Sequence, residues 1–189
     1  MDTARKHLEN IEVNFESVRP SRNRFDGESG LRDWLVLELK SVYYAEKIML
    51  KSFAKIIKNS CSVELIEALT IHHEESRQHV IRIEDAFLLL NERPALERCK
   101  TIETLLENID IVIEDTKFGL VRDAGIVFGM HRIEQHEIST YSMLATFAEN
   151  LGQNKVVLLL SETINEEKVA ALRLEKIAQT IRFYSSGKI

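Results

Sequence analysis

The sequence predicts an all-α protein made of a few long helices. Glycine is 7 and proline 2 of 189 residues, both far below ordinary usage, and no glycine occurs between Gly30 and Gly119. Hydrophobic residues make up 44% of the chain, enough for one sizeable core, and they recur at spacings of three, four and seven. A β-sandwich needs turn residues every 8 to 12 positions and a doubly wound sheet needs glycine-rich strand-to-helix turns, so both are disfavoured.

Residues 1–30 hold Pro20, Ser21, Asn23 and Gly27 with no sustained apolar period, and are expected to form an N-terminal arm, flexible or docked onto the rest. The bundle is expected over 31–183, with 184–189 as a C-terminal tail. Leu35, Leu39, Val42, Met49, Phe53 and Ile56 mark one face of a first helix that runs to about Lys58. Asn59, Ser60 and Ser62 then interrupt the pattern, and Ser62 can cap the next helix. That second helix carries Leu65, Leu69, His72, Glu75, His79, Ile83 and Phe87 in one stripe and is expected to stop near Pro94, which cannot continue it. A shorter amphipathic stretch over Ile102, Leu105, Leu106, Ile109, Ile111 and Val112 ends at Gly119. A third long pattern, Val127, Met130, Glu134, Glu137, Tyr141, Leu144 and Ala148, closes at Gly152, a natural residue for the position after a helix C-cap. The last runs through Val157, Leu160, Ile164, Glu167, Ala171, Leu174 and Ala178.

These patterns make two helical hairpins joined by about 28 residues, and a connector of that size, if helical, can travel roughly 42 Å, the length of a bundle helix. One long crossover is the topology of ferritin-like bundles, whereas a plain up-down-up-down bundle needs none. The expected fold is therefore a ferritin-like antiparallel four-helix bundle with an extra crossover helix.

Lys and Arg number 25 against 30 Asp and Glu, a net charge of −5 that offers no general attraction to phosphate backbones or anionic lipid. No nucleic acid and no membrane are expected as partners. Cys61 and Cys99 have no CxxC spacing and are read as free thiols. MDTARKHLEN has no apolar segment of the signal-peptide kind, so a cytoplasmic location is expected.

The informative residues are acids that fall in the apolar stripes: Glu46 in the first long helix, Glu75 in the second, Glu134 and Glu137 in the third, Glu167 in the fourth. Taken singly, each reads equally well as a solvated acid at a core edge. Taken together, they occupy the middle of four helices, and each buried unpaired carboxylate costs several kcal/mol. No Lys or Arg occupies these stripe centres, so the natural partner is a pair of metal ions, with carboxylate oxygens and an imidazole suited to iron or manganese. Glu134 and Glu137, three apart, point to one side of the same turn, as do Glu75 and His79, four apart. His72 shares the stripe with Glu75; it reads first as a packed core imidazole, and otherwise as a ligand or its supporting partner. His131 and His136 read as bundle-edge residues, and Tyr141 as a core aromatic that could also donate a hydrogen bond to a ligating carboxylate.

Four stretches, LELKSVYYAEKIML, HHEESRQHVIRIE, VRDAGIVFGMHRIEQHEISTY and LLLSETINEEKVAALRLEKIA, resemble the YciE/YciF-like stress proteins of the ferritin-like superfamily in order and spacing, over about four fifths of the chain. The resemblance implies a bundle with a crossover helix, a homodimer and a di-iron-type site. Its motifs place Glu46, Glu75, Glu134, Glu137 and Glu167 as the acids of that site; His79, four residues after Glu75, joins them on helical spacing alone. It also implies a ferroxidase-like activity; joined to the reading of the residues, it gives an expected ferroxidase- or peroxide-type redox role, with dioxygen or peroxide as small-molecule substrate and two iron ions, or manganese, as cofactor. Ala171 departs from the pattern, because the family commonly has an Asp four residues after the last acid. That departure, with the absence of a histidine from the fourth long helix, keeps a second reading open: a non-enzymatic stress or interaction bundle with a degenerate metal site.

Overall fold

A computed structural model describes residues 25–181. Most of the expected arm and the whole of the expected tail lie outside that range. Five helices follow in order: α1 (Gly27–Asn59), α2 (Val63–Leu89), α3 (Lys100–Asp115), α4 (Leu120–Asn150) and α5 (Asn154–Thr180), and the described residues include no strand. Helix α1 starts four residues before the apolar period does, with the Gly30 N–H already bonded to the Asp26 carbonyl.

Helices α1, α2, α5 and α4 pack in a ring, each against its two neighbours, and α3 lies across α1 and α4. This is the antiparallel bundle with a crossover helix that the connector length predicts. The Ser62 hydroxyl accepts the Leu65 N–H at 3.4 Å, as expected for the cap of α2. The close of α2 differs from the expectation. The helix ends at Leu89, because Asn91 adopts the left-handed conformation (φ 56°) and the Glu92 N–H reaches back to the Phe87 carbonyl at 2.8 Å. Asparagine supplies the helix stop that Pro94 was expected to supply. Gly152 (φ 67°) does the same for α4, with the Gln153 N–H on the Ala148 carbonyl at 2.8 Å.

At the α1–α2 turn, the fully buried Asp123 carboxylate accepts the N–H groups of Cys61 and Ser62, both at 2.7 Å. This ties the first hairpin to the start of α4. Helix α3 buries Ile102, Leu105, Ile109 and Ile113, while Ile111 of the expected stripe is exposed. It lies close enough to α4 that a methyl group on Gly129 would sit 2.4 Å from Ile109 Cγ1, and one on Gly125 would sit 2.4 Å from Val112 Cγ1. Ile109 is β-branched and fully buried, so it cannot swing aside. Gly129→Ala is expected to destabilise the protein by about 1–3 kcal/mol, read as a lower melting temperature; an unchanged melting temperature would contradict this packing.

The core is divided along the bundle axis. One apolar cluster holds Met49, Phe53, Leu65, Leu69, Met130 and Leu174 with the buried face of α3. The other holds Leu35, Leu39, Phe87, Leu144, Val156 and Leu160. Between them, in sequence on all four long helices, come the buried polar residues Glu46, His72, His79, Glu134, Glu137 and Glu167.

Candidate metal centre

This polar layer is buried. Glu134, Glu167 and His79 are 0% exposed, Glu46 1%, and His72 and Glu137 3%. Each side chain is carried by a helix whose flanking turns are anchored in the two apolar clusters, so its direction follows from helical phase and not from loop conformation.

Two groups of ligand atoms form, with all atoms in each lying within 4.8 Å of one another: His72, Glu134, Glu137 and Glu167 in one, and Glu46, His79 and Glu167 in the other. Glu167 belongs to both. His72 Nε2 lies 3.0 Å from Glu134 Oε2 and 3.8 Å from Glu167 Oε2. His79 Nδ1 lies 3.1 Å from Glu46 Oε1 and 3.0 Å from Glu167 Oε1. The Tyr141 hydroxyl donates to Glu46 Oε1 at 2.7 Å. On its far side, His79 Nε2 meets Glu166 Oε2 at 2.9 Å, and Glu166 is held in turn by both terminal nitrogens of Arg82, at 2.6 and 2.8 Å.

The charges are strongly interdependent. Burial opposes a charge on His72, but Glu134 and Glu167 beside it outweigh that and hold its pKa well above the ordinary range. Burial likewise opposes a charge on His79, yet Glu46 and Glu167 raise its pKa to about 10. Burial pushes Glu167 up to about 7, with His72 pulling it down and Glu134 pushing it further up. Burial and the neighbouring Glu167, Glu46 and Glu134 drive Glu137 well above the usual carboxylate range. Burial, with Glu46 and Glu137 nearby, keeps Tyr141 protonated as a donor.

Protons alone do not satisfy the layer. Both ring nitrogens of His72, both oxygens of Glu134, both of Glu167 and Glu137 Oε1 are buried without a hydrogen-bond partner. Some of these atoms sit 3.0 Å from an opposite charge but off the line a hydrogen bond requires. Orphaned buried polar atoms are rare in folded proteins and expensive. Carboxylate oxygens with two imidazoles are donors of the kind divalent iron and manganese accept, so the residues present fit a pair of such ions.

Of the six residues singled out from the sequence, the structure brings together Glu46, His79, Glu134, Glu137 and Glu167 and leaves Glu75 outside both groups. Glu75 lies at the margin, its oxygens 2.9 and 3.0 Å from Arg173 Nη1 and one of them 3.5 Å from His72 Nδ1. Burial pushes its carboxyl up, but the bonds to His72 and Arg173 win and hold it below the usual range. The missed member is His72, read first as a packed imidazole. Its signal was present: His72 and His79 are seven apart, two turns on the same face. Glu166, Arg82 and Arg173 lie off the apolar stripes, and nothing in the one-dimensional pattern marks them.

Fold and layer together define an all-α bundle with a buried carboxylate and imidazole centre. The chain belongs to the family described as a domain of unknown function, DUF892, whose profile matches residues 30–183. It is 33% identical to protein YciF of Escherichia coli over 149 residues, 78% of this chain and 90% of that one. The crystal structure of the E. coli stress protein YciF superposes with a TM-score of 0.76 over 79% of this chain and 94% of that one. YcfI from Rhodopseudomonas palustris superposes with a TM-score of 0.77 at 29% identity, over 87% of this chain and all of that one. The resemblance read from the sequence is borne out. Among the described residues, no helix is long and apolar enough to cross a membrane.

Proposed function

We propose that this protein is a stress-response bundle that binds two divalent iron or manganese ions in its central layer and oxidises ferrous iron with dioxygen or peroxide. The observation that carries the reading is the set of buried, unpartnered donor atoms on His72, Glu134, Glu137 and Glu167, arranged with Glu46 and His79 as two groups that share Glu167. Bound there, a metal pair would supply the redox chemistry. The chain supplies the rest. Four carboxylates offset the cationic charge, Tyr141 and Glu166 steady Glu46 and His79 through their hydrogen bonds, and the two apolar clusters exclude bulk water from either end. The stress role follows the name of the YciF relative; a cytoplasmic homodimer belongs to the same proposal.

Two observations favour a second reading, a degenerate centre in a non-enzymatic bundle: Ala171 in place of an acid, and Glu75 engaged by Arg173. Ferrous oxidation separates the two. Under the leading reading, purified protein oxidises ferrous iron well above the buffer rate, and Glu46→Ala or Glu137→Ala abolishes the excess while circular dichroism stays helical. A wild-type rate equal to buffer would leave only the second reading.

A further inference from the structure

An ion bound for the central layer has to cross the wall of the bundle, and at the seam between α2 and α5 small side chains border that layer. A cavity of about 10 Å³, room for about one water, lies there, lined by the small side chains of Ala68 and Ala170 and by His72 and Glu134 of the centre together with Arg173. Two residues of the centre that carry unpartnered buried atoms, His72 and Glu134, therefore border it. Arg173, which also lines the cavity, pairs with Glu75 on the solvent side of this seam, with Glu75 18% and Arg173 32% exposed.

Farther along the same seam, a second arginine closes the layer beside His79, but it is braced differently. Arg82 uses both terminal nitrogens on Glu166 and adds Glu162 at 3.2 Å, whereas Arg173 meets Glu75 through one nitrogen only. Of the two arginines, Arg173 is the one held by fewer bonds, and it is the one that lines the cavity.

A space that holds one water cannot pass a divalent ion with its hydration shell, so incoming ions must exchange water for protein oxygens at the mouth. Glu75 has the oxygens in the right place, 3.5 Å from His72, and Arg173 occupies both. We propose that divalent cations reach the central layer through this seam, and that Arg173 gates the route by holding the Glu75 carboxylate that must receive them. The inference rests on the metal-binding reading above. It makes Arg173 a residue that governs the rate of loading and not the final content.

Stopped-flow mixing of the metal-free full-length protein with Co²⁺, followed by the absorption bands of bound cobalt, reads rate and amount separately. Arg173→Ala is expected to load at least about tenfold faster to the same final cobalt content. Ala170→Leu, which fills the opening, is expected to load at least about tenfold slower. Arg77→Ala removes the same charge from an exposed site on α2, two residues from Glu75, and is expected to load at the wild-type rate. If Ala170→Leu proves unfolded by circular dichroism, Ala68→Val narrows the same opening and carries the same expectation. A wild-type rate in either the arginine or the blocking variant overturns the route, as does equal acceleration by Arg77→Ala. Wild-type protein that takes up no cobalt overturns the route and the metal-binding reading together; full uptake at unchanged rates overturns the route alone.

Discussion

Glu167→Ala is expected to strip both metal ions from the protein, whereas Glu46→Ala and Glu134→Ala each remove one. The difference follows from membership. Glu167 is the one carboxylate common to both groups of ligand atoms, Glu46 belongs only to the group with His79, and Glu134 only to the group with His72. A residue whose two oxygens face two sites, with Oε1 toward His79 and Oε2 toward His72, cannot be lost without opening both. The loss of affinity at each opened site is expected to be at least about a hundredfold, on the order of 3 kcal/mol. Elemental analysis of protein purified without chelator, set beside circular dichroism, measures this directly. Metal content of two, one, one and none for wild type, Glu46→Ala, Glu134→Ala and Glu167→Ala is the expected series. Retention of one ion by Glu167→Ala would show that the two groups do not share that ligand.

Stability should depend on pH in opposite ways with and without metal. In the metal-free protein, His79 has its pKa raised from 6.5 to about 10, so its contribution is fully present below 6.5 and is lost as pH rises through 10. Glu167 is raised from 4.5 to about 7, so the folded state favours its protonated form, and that contribution is fully present below 4.5 and lost as pH rises through 7. Both terms have the same sign: between those limits the folded state holds more protons than the unfolded chain, and the melting temperature of metal-free protein should fall as pH rises. Metal binding displaces the same protons, because ligating imidazoles must be neutral and carboxylates ionised. Added Mn²⁺ should therefore stabilise the protein more at about pH 9 than at about pH 6, with the two melting curves diverging as pH increases. Curves that stay parallel would mean that the bound ion does not replace protons on His79 and Glu167.

The stripes were legible because helices repeat at 3.6 residues, and long helices with few interruptions leave that period unbroken. The Ser62 cap, the Gly152 stop and the length of the crossover could all be read without coordinates. The end of α2 could not, because Asn91 stops the helix through a left-handed backbone that many asparagines never adopt. Five of the acids in the stripes were visible for the same periodic reason, yet their shared period could not say which would turn inward. Glu75 has the phase of a core residue, but Arg173 across the α2–α5 seam takes both its oxygens and holds it at the margin. His72 has the same phase and, among the described residues, no such partner outside; packed edge-on against the Phe53 ring, it stays inside.

One chain, read alone, thus settled the class of fold, the number and order of the long helices and the level at which polar residues enter the core, since each depends on local propensity and helical period. Pairings across helices were another matter. That Glu167 faces two imidazoles, that Arg82 and Arg173 each take an acid at the same seam, and that a water-sized gap opens beside Ala170 all depend on how far apart two helix axes lie and how one is rotated against the other. Those quantities are set by the packing of both apolar clusters at once, and no stretch of sequence contains them.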